Sequence, residues 1–204
     1  MQATGRKGLA LTDGRSHGRL WLTVGAGLAA DLATKAAAWR SLGPPPDGGT
    51  PGAVRPLIPG LVQLVTSCNA GIVFGFDFAR DLGLGEAWGR AATVALTVLT
   101  ALLILWVFAG ARPDRRWLHV MCGLVLAGAL GNLYDRLLFG HVRDFVQITL
   151  HVRGAAVWPY VFNLADVYLV VGVAVLALGC LVGGPRGAVC ERGVRPTERK
   201  NGGR

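Results

Sequence analysis

Charge is what this chain has least of. Only 16% of its 204 residues are Asp, Glu, Lys or Arg, while 52% are hydrophobic. A water-soluble domain usually carries about 25% charged residues, so the composition points away from a soluble globule. Acids are scarcer than bases, 12 against 21, which leaves a net charge of +9. The four cysteines, Cys68, Cys122, Cys180 and Cys190, fall into no zinc pattern and no CxxC pair. The four histidines, His17, His119, His141 and His151, are scattered without ligand spacing. No metal and no cofactor are therefore expected. Neither an HExxH signature nor a Ser-centred GxSxG motif is read in the chain, which sets zinc and serine chemistries aside. No internal repeat is found.

The apolar residues lie in long blocks, which places the chain among integral membrane proteins. Four spans are expected, at Leu20–Trp39, Ala87–Ala109, Trp117–Leu133 and Val161–Val182. Each is about 17–23 residues, enough to cross most or all of a core of roughly 30 Å as a helix. A cleaved signal peptide is the alternative for the first block, but that block holds Asp31 and Lys35 and exceeds a usual apolar signal region. The bases cluster just outside the blocks: Arg6, Lys7, Arg15 and Arg19, then Arg112, Arg115 and Arg116, then Arg186 through Arg204. That distribution reads as a topology signal and an attraction to anionic membrane lipid, not as a nucleic-acid surface. Both termini then face the cytoplasm, and residues 41–86 and 137–160 face outward. Three segments follow: a basic tail over 1–19, a four-span unit over 20–183 and a second basic tail over 184–204. Both tails are expected to be disordered. The outer loop is Gly- and Pro-rich at first, and Leu61–Val65 alternates weakly, as a strand would.

A few polar residues interrupt the apolar blocks. Asp31 and Lys35 are four apart on one helical face and read first as an internal ion pair. Asn69-Ala70-Gly71 is either a turn or an amide that holds a substrate backbone. Asn132 and Asp135 share a face at the end of the third span, followed by Arg136, which can snorkel or pair with a carboxylate. Asp144 reads alone as a loop carboxylate paired with Arg143, and Asp166 as a first-turn acid that a helix dipole would favour. Carboxylates at a membrane edge are costly and usually functional. Two of them on neighbouring segments suggest an acid/base pair sharing a proton. A transporter with a proton path through Asp31, Lys35 and Asp166 is a rival, but the second span is almost wholly apolar after Arg90. A non-catalytic scaffold is another.

Five motifs in order resemble those of the lipoprotein signal peptidases, the type II signal peptidases of bacteria. They are Asp31-Leu32-Ala33-Thr34-Lys35, Asn69-Ala70-Gly71, Gly131-Asn132-Leu133-Tyr134-Asp135-Arg136, Val142-Arg143-Asp144-Phe145 and Phe162-Asn163-Leu164-Ala165-Asp166. The resemblance implies an all-α membrane protein, a four-transmembrane-helix bundle with a small outer-face β element and a short outer helix. It implies a monomeric aspartyl endopeptidase of the bacterial inner membrane, with Asp144 and Asp166 as the catalytic dyad. Asn69, Gly71, Asn132, Arg136 and Asn163 would bind substrate, and Asp31, Lys35 and Asp135 would be structural. The substrate would be a diacylglyceryl-modified prolipoprotein, cut before the lipidated cysteine. The chain departs from the pattern at Arg143, where many members have a small apolar residue. It departs also at Ala70, Ile72-Val73 and Val167. None of these removes a catalytic atom.

Overall fold

The structure is a computed structural model that describes residues 9–46, 52–71 and 76–182. Cys190, Ile72-Val73, residues 1–8 of the first tail and the whole of the second lie outside the described residues. In chain order the elements are a 3-10 turn (Ala10–Thr12), α1 (Gly14–Leu42), β1 (Val54–Ile58), β2 (Val62–Asn69), α2 (Phe78–Asp81), α3 (Glu86–Gly110), α4 (Arg116–Phe139), β3 (Val142–Ile148), β4 (His151–Val152), β5 (Ala155–Ala156), β6 (Val161–Phe162) and α5 (Leu164–Val182). The fold is mostly helical with an antiparallel sheet ordered β1-β2-β3-β6 and a separate β4–β5 hairpin.

The helix ends follow local chemistry. Asp13 caps α1, its carboxylate accepting from the Ser16 N–H at 2.8 Å and the Ser16 hydroxyl at 2.6 Å. The helix therefore starts six residues before the expected Leu20 boundary, and part of the segment read as disordered is ordered. The same contacts correct the reading that no serine-centred motif is present. Gly14-Arg15-Ser16-His17-Gly18 has the letters of GxSxG, but Ser16 is fully buried in the first turn of a helix, where its hydroxyl donates to the Asp13 cap. It stands on no strand-to-helix turn. At the other end of α1, the N–H of Gly43 (φ 75°) closes on the Trp39 carbonyl, and three prolines follow.

Helices α3 and α4 are long and apolar enough to cross a membrane by length and composition. Helix α3 leaves Leu99, Leu102, Leu103 and Trp106 about half exposed. Such a patch is an aggregation hazard in water and the ordinary state in lipid. Helix α4 is the hub of the bundle: α1, α3 and α5 all pack on it. Small residues let them approach, as is usual between helices in lipid. At Gly128 a Cβ would lie within 2.9 Å of Leu169 and closer still to the Ala165 carbonyl. Leu20, Phe108, Cys122, Val125 and Leu126 form the apolar core below the polar residues.

The sheet is larger than the small β element expected. Strand β2 runs on from the Leu61–Val65 stretch to Asn69 and pairs with β3, Ser67 opposite Asp144 and Asn69 opposite Val142. Weak alternation hid it, because a bulge between Leu64 and Ser67 resets the period. What delivers β3 to the helices is Gly140, in the left-handed region at φ 77°, whose N–H bonds the Arg136 carbonyl at 3.1 Å. The chain turns back there, and Asp144 returns towards Asn132.

Candidate active site

Asp144 and Asp166 come from different elements, β3 and the first turn of α5. Three asparagine amides connect them. Asn163 Nδ2 donates to Asp144 Oδ1 at 2.6 Å, and Asn69 Nδ2 donates to Asp144 Oδ2 at 2.9 Å. Asn132 Nδ2 donates to Asp166 Oδ1 at 2.8 Å. Asn163 Nδ2 also reaches Asn132 Oδ1 at 3.2 Å, which closes the chain of bonds between the two carboxylates.

The orientation of each amide is dictated by its second partner. Asn163 Oδ1 accepts the Asp166 N–H at 3.1 Å while Asp166 Oδ2 accepts the Asn163 N–H at 3.1 Å. This reciprocal pair is a capping box at the start of α5. It gives the Phe162–Asp166 motif a structural reason as well as a chemical one. Asn69 Oδ1 accepts the Gly71 N–H at 2.9 Å. Asn132 Oδ1 faces Lys35 Nζ at 3.0 Å, and an ammonium has only donors to offer.

A layer of buried charge supports this set. Lys35 Nζ lies 2.8 Å from Asp31 Oδ2 and 3.3 Å from Asp135 Oδ2, with all three side chains wholly buried. Asp31 Oδ1 in turn accepts the Ala165 N–H at 2.9 Å, one residue before Asp166. The expected Asp31–Lys35 pair is thus part of a three-helix junction. Gly131 has to be glycine there, since a Cβ would collide with Asp31 Oδ2. Arg136 donates to the Gly71 carbonyl at 2.7 Å and so tethers the Asn69 turn. Its Nε is buried without a hydrogen-bond partner among the described residues.

The environment of the two acids differs. Asp144 is 1% exposed, whereas Asp166 is half-buried. The pair therefore opens to the surroundings on the Asp166 side. Burial first, then the charge of Asp166, push the Asp144 carboxyl up to about 7. Arg143 takes no part in this. Its guanidinium turns away to Asp135, with Nη2 and Nε at 2.7 and 3.1 Å from Oδ1. Burial and then Asp144 raise the Cys68 thiol as well, which makes it a poor nucleophile. Among the described residues no His, Cys, Asp and Glu cluster could hold a metal ion.

All ten residues singled out in the sequence meet in this region. What the sequence did not reveal is how they connect. Lys35 was assigned one partner and has three acceptors. The sequence offers Arg143 as an ion-pair partner for Asp144, yet its guanidinium bonds Asp135 instead. No helical spacing signals either contact, because the partners sit on other elements.

Known proteins resemble this chain in sequence and in fold. The model of the family Signal peptidase (SPase) II matches residues 23–182. A lipoprotein signal peptidase of Pseudomonas paraeruginosa is 39% identical over 124 residues, 60% of this chain and 68% of that protein. One of Caulobacter vibrioides is 38% identical over 133 residues, 64% of this chain and 70% of its own length. Among solved structures, a bacterial membrane enzyme determined by the in meso method shares the fold. Its TM-score is 0.67 at 21% identity, covering 87% of this chain and 95% of the other.

Proposed function

The chain belongs to the signal peptidase II family, and we propose that it is an aspartyl endopeptidase acting through Asp144 and Asp166. Its substrate is a diacylglyceryl-modified prolipoprotein, cut on the amino side of the lipidated cysteine. The observation that carries this reading is the convergence of two carboxylates, one buried and one half-open, on a ring of three oriented amides.

Two close carboxylates do not both ionise cheaply near neutrality, so the pair holds one proton. Asp144 is the more deeply buried of the two, and burial favours the neutral form, so the proton is placed there. Asp166 is then the base. Water attacks the scissile carbonyl carbon and gives a proton to Asp166, while Asp144 donates its proton to the carbonyl oxygen. The tetrahedral diol collapses: the C–N bond breaks, the nitrogen takes up the proton held by Asp166, and a diol proton returns to Asp144. The signal peptide leaves with a new carboxyl group, and the lipidated cysteine keeps a free amine. Amides of Asn132 and Asn163 are placed to hold substrate backbone or the developing oxyanion. The unpartnered Arg136 Nε is a donor for a substrate carbonyl.

In this reading α1, α3, α4 and α5 all cross a bacterial inner membrane, with both termini cytoplasmic and the dyad near the outer face. The 29 residues of α1 and 19 of α5 are long enough at about 1.5 Å each to span most or all of the core. The charges inside α1 at Asp31 and Lys35 are fully buried and paired, as an intramembrane position requires. The unit over 20–183 acts as a monomer, with basic tails at either end.

The test is a gel-shift assay in detergent with a diacylglyceryl-modified prolipoprotein and EDTA. Wild type should cleave, while D144N and D166N should not, although both remain in the membrane fraction. Full processing by either variant would defeat the assignment.

A further inference from the structure

We propose that Arg143 is a positioning residue that fixes the distance between the two carboxylates by clamping β3 to α4 through Asp135. The inference rests on Asp144 and Asp166 being the catalytic pair.

Side chains alternate across a strand. Asp144 faces the asparagines, so Arg143 projects from the opposite face of β3. There it turns back onto α4. Two of its nitrogens, Nη2 and Nε, meet Asp135 Oδ1 at 2.7 and 3.1 Å, and its own backbone N–H meets Asp135 Oδ2 at 3.0 Å. One carboxylate thus grips both the side chain and the main chain of a single residue. The guanidinium also lies 4.4 Å from the centre of the Phe139 ring, on the same turn of chain. The Arg143 side chain is 11% exposed and that of Asp135 is not exposed at all. Screening by solvent is therefore weak.

The position of this clamp gives it its consequence. On β3, the peptide after Arg143 carries Asp144. On α4, Asp135 is three residues beyond Asn132, whose amide holds Asp166. The clamp joins these two supports from the side opposite the Asn163 amide, which bridges Asp144 and Asn132 directly. Asp135 is also the second carboxylate of Lys35. Arg143 therefore completes an alternating row, Asp31, Lys35, Asp135, Arg143, whose formal charges sum to zero beside the dyad. With an apolar residue at 143, Asp135 would keep one backbone N–H and Lys35, and its hold on β3 would fall to a single hydrogen bond. Arg143 touches no reacting atom in this arrangement. Its effect has to pass through Asp135.

The test measures kcat and KM on a diacylglyceryl-modified prolipoprotein for wild type, R143V, R143K, D135N and R143V/D135N, with D166N alongside. A misplacement of about 1 Å costs on the order of a hundredfold in rate, so R143V should lower kcat about tenfold or more. Its KM should stay within about twofold of wild type. R143K should recover part of kcat, because it keeps the charge but not the fork. R143V/D135N should be no slower than D135N, since the clamp is already open. Wild-type kcat in R143V, a raised KM at unchanged kcat, or losses that multiply in the double variant would each overturn the clamp. If R143V does not fold, R143K and R143K/D135N carry the same comparison. Failure of wild type to cleave at all would sink the functional reading instead. Cleavage by wild type but not D166N, with Arg143 variants unaffected, would sink only this inference.

Discussion

Replacing Lys35 by Met keeps the length of the side chain and deletes the one cation at the centre of the buried layer. Three acceptors then lose it: Asp31 Oδ2 at 2.8 Å, Asn132 Oδ1 at 3.0 Å and Asp135 Oδ2 at 3.3 Å. Asp135 retains Arg143, and Asn132 retains the Asn163 amide. Asp31 keeps only the Ala165 N–H, so the uncompensated charge is its own. Removing one partner of a buried ion pair costs about 3–5 kcal/mol, and the full burial of both groups leaves no solvent to soften it. The folded-to-unfolded ratio should drop by roughly two to three and a half powers of ten, read from reversible unfolding in mixed micelles by tryptophan fluorescence. The companion K35M/D31N separates charge from packing. The amide that takes the place of the Asp31 carboxylate can still accept from Ala165 and has N–H groups to offer Asp135, so most of the loss should return. A loss below about 1 kcal/mol in K35M, or no recovery in the double variant, would refute the account of Lys35 as a charge-compensating junction.

Two further outcomes are expected. At Asp144 the folded pKa of about 7 exceeds the ordinary value near 4, so the carboxyl favours folding below about pH 4 and loses that advantage as pH rises through 7. D144N lacks this dependence, and its stability relative to wild type should climb by up to about 4 kcal/mol between pH 4 and 7 and then level off; a difference flat with pH would contradict it. G131A drives a methyl into Asp31, which holds Ala165, so it should cost about 1–3 kcal/mol and lower kcat by displacing Asp166. G131A with wild-type kcat would show that Asp31 does not position α5.

The helices were legible because lipid imposes one rule along each segment: apolar residues for a full crossing, with charge held to the flanks. Helix α3 obeys it without exception after Arg90 and was found to within a residue at each end. Helix α1 breaks it with internal charges and with a cap at Asp13 that lies in a polar stretch, and its start was missed by six residues. The sheet obeys no such rule. Strand β3 reads Val142-Arg143-Asp144-Phe145, with two charged residues in succession. Each is explained only by a partner far along the chain, Asp135 for one and Asn69 with Asn163 for the other. The site residues could be found because polar side chains in apolar surroundings are few. Of their connections only a local one such as Asp31–Lys35 could be read, since most of the others join two elements that the sequence leaves apart.

The polar layer also shows where this molecule places its cost. A bundle in lipid tolerates buried charge only if each group is matched, and nearly every group here is. Asp31 has Lys35 and Ala165, Asp135 has Lys35 and Arg143, and each asparagine uses both ends of its amide. Two features of this layer stay short of a match, and both lie at the candidate site. Asp144 is a buried acid that is raised to about 7 by its burial and by the second acid it faces, and Arg136 Nε is a buried donor with no acceptor among the described residues. Groups left short of partners amid a satisfied network are where a ligand gains most by binding. A peptide carbonyl would accept from Arg136, and a water between the carboxylates would take the place of their repulsion. On the positioning role proposed for Arg143, the paired layer from Asp31 to Arg143 would keep the two acids from moving apart to relieve that repulsion. The stability given up at the dyad is thus held in place by the stability stored around it.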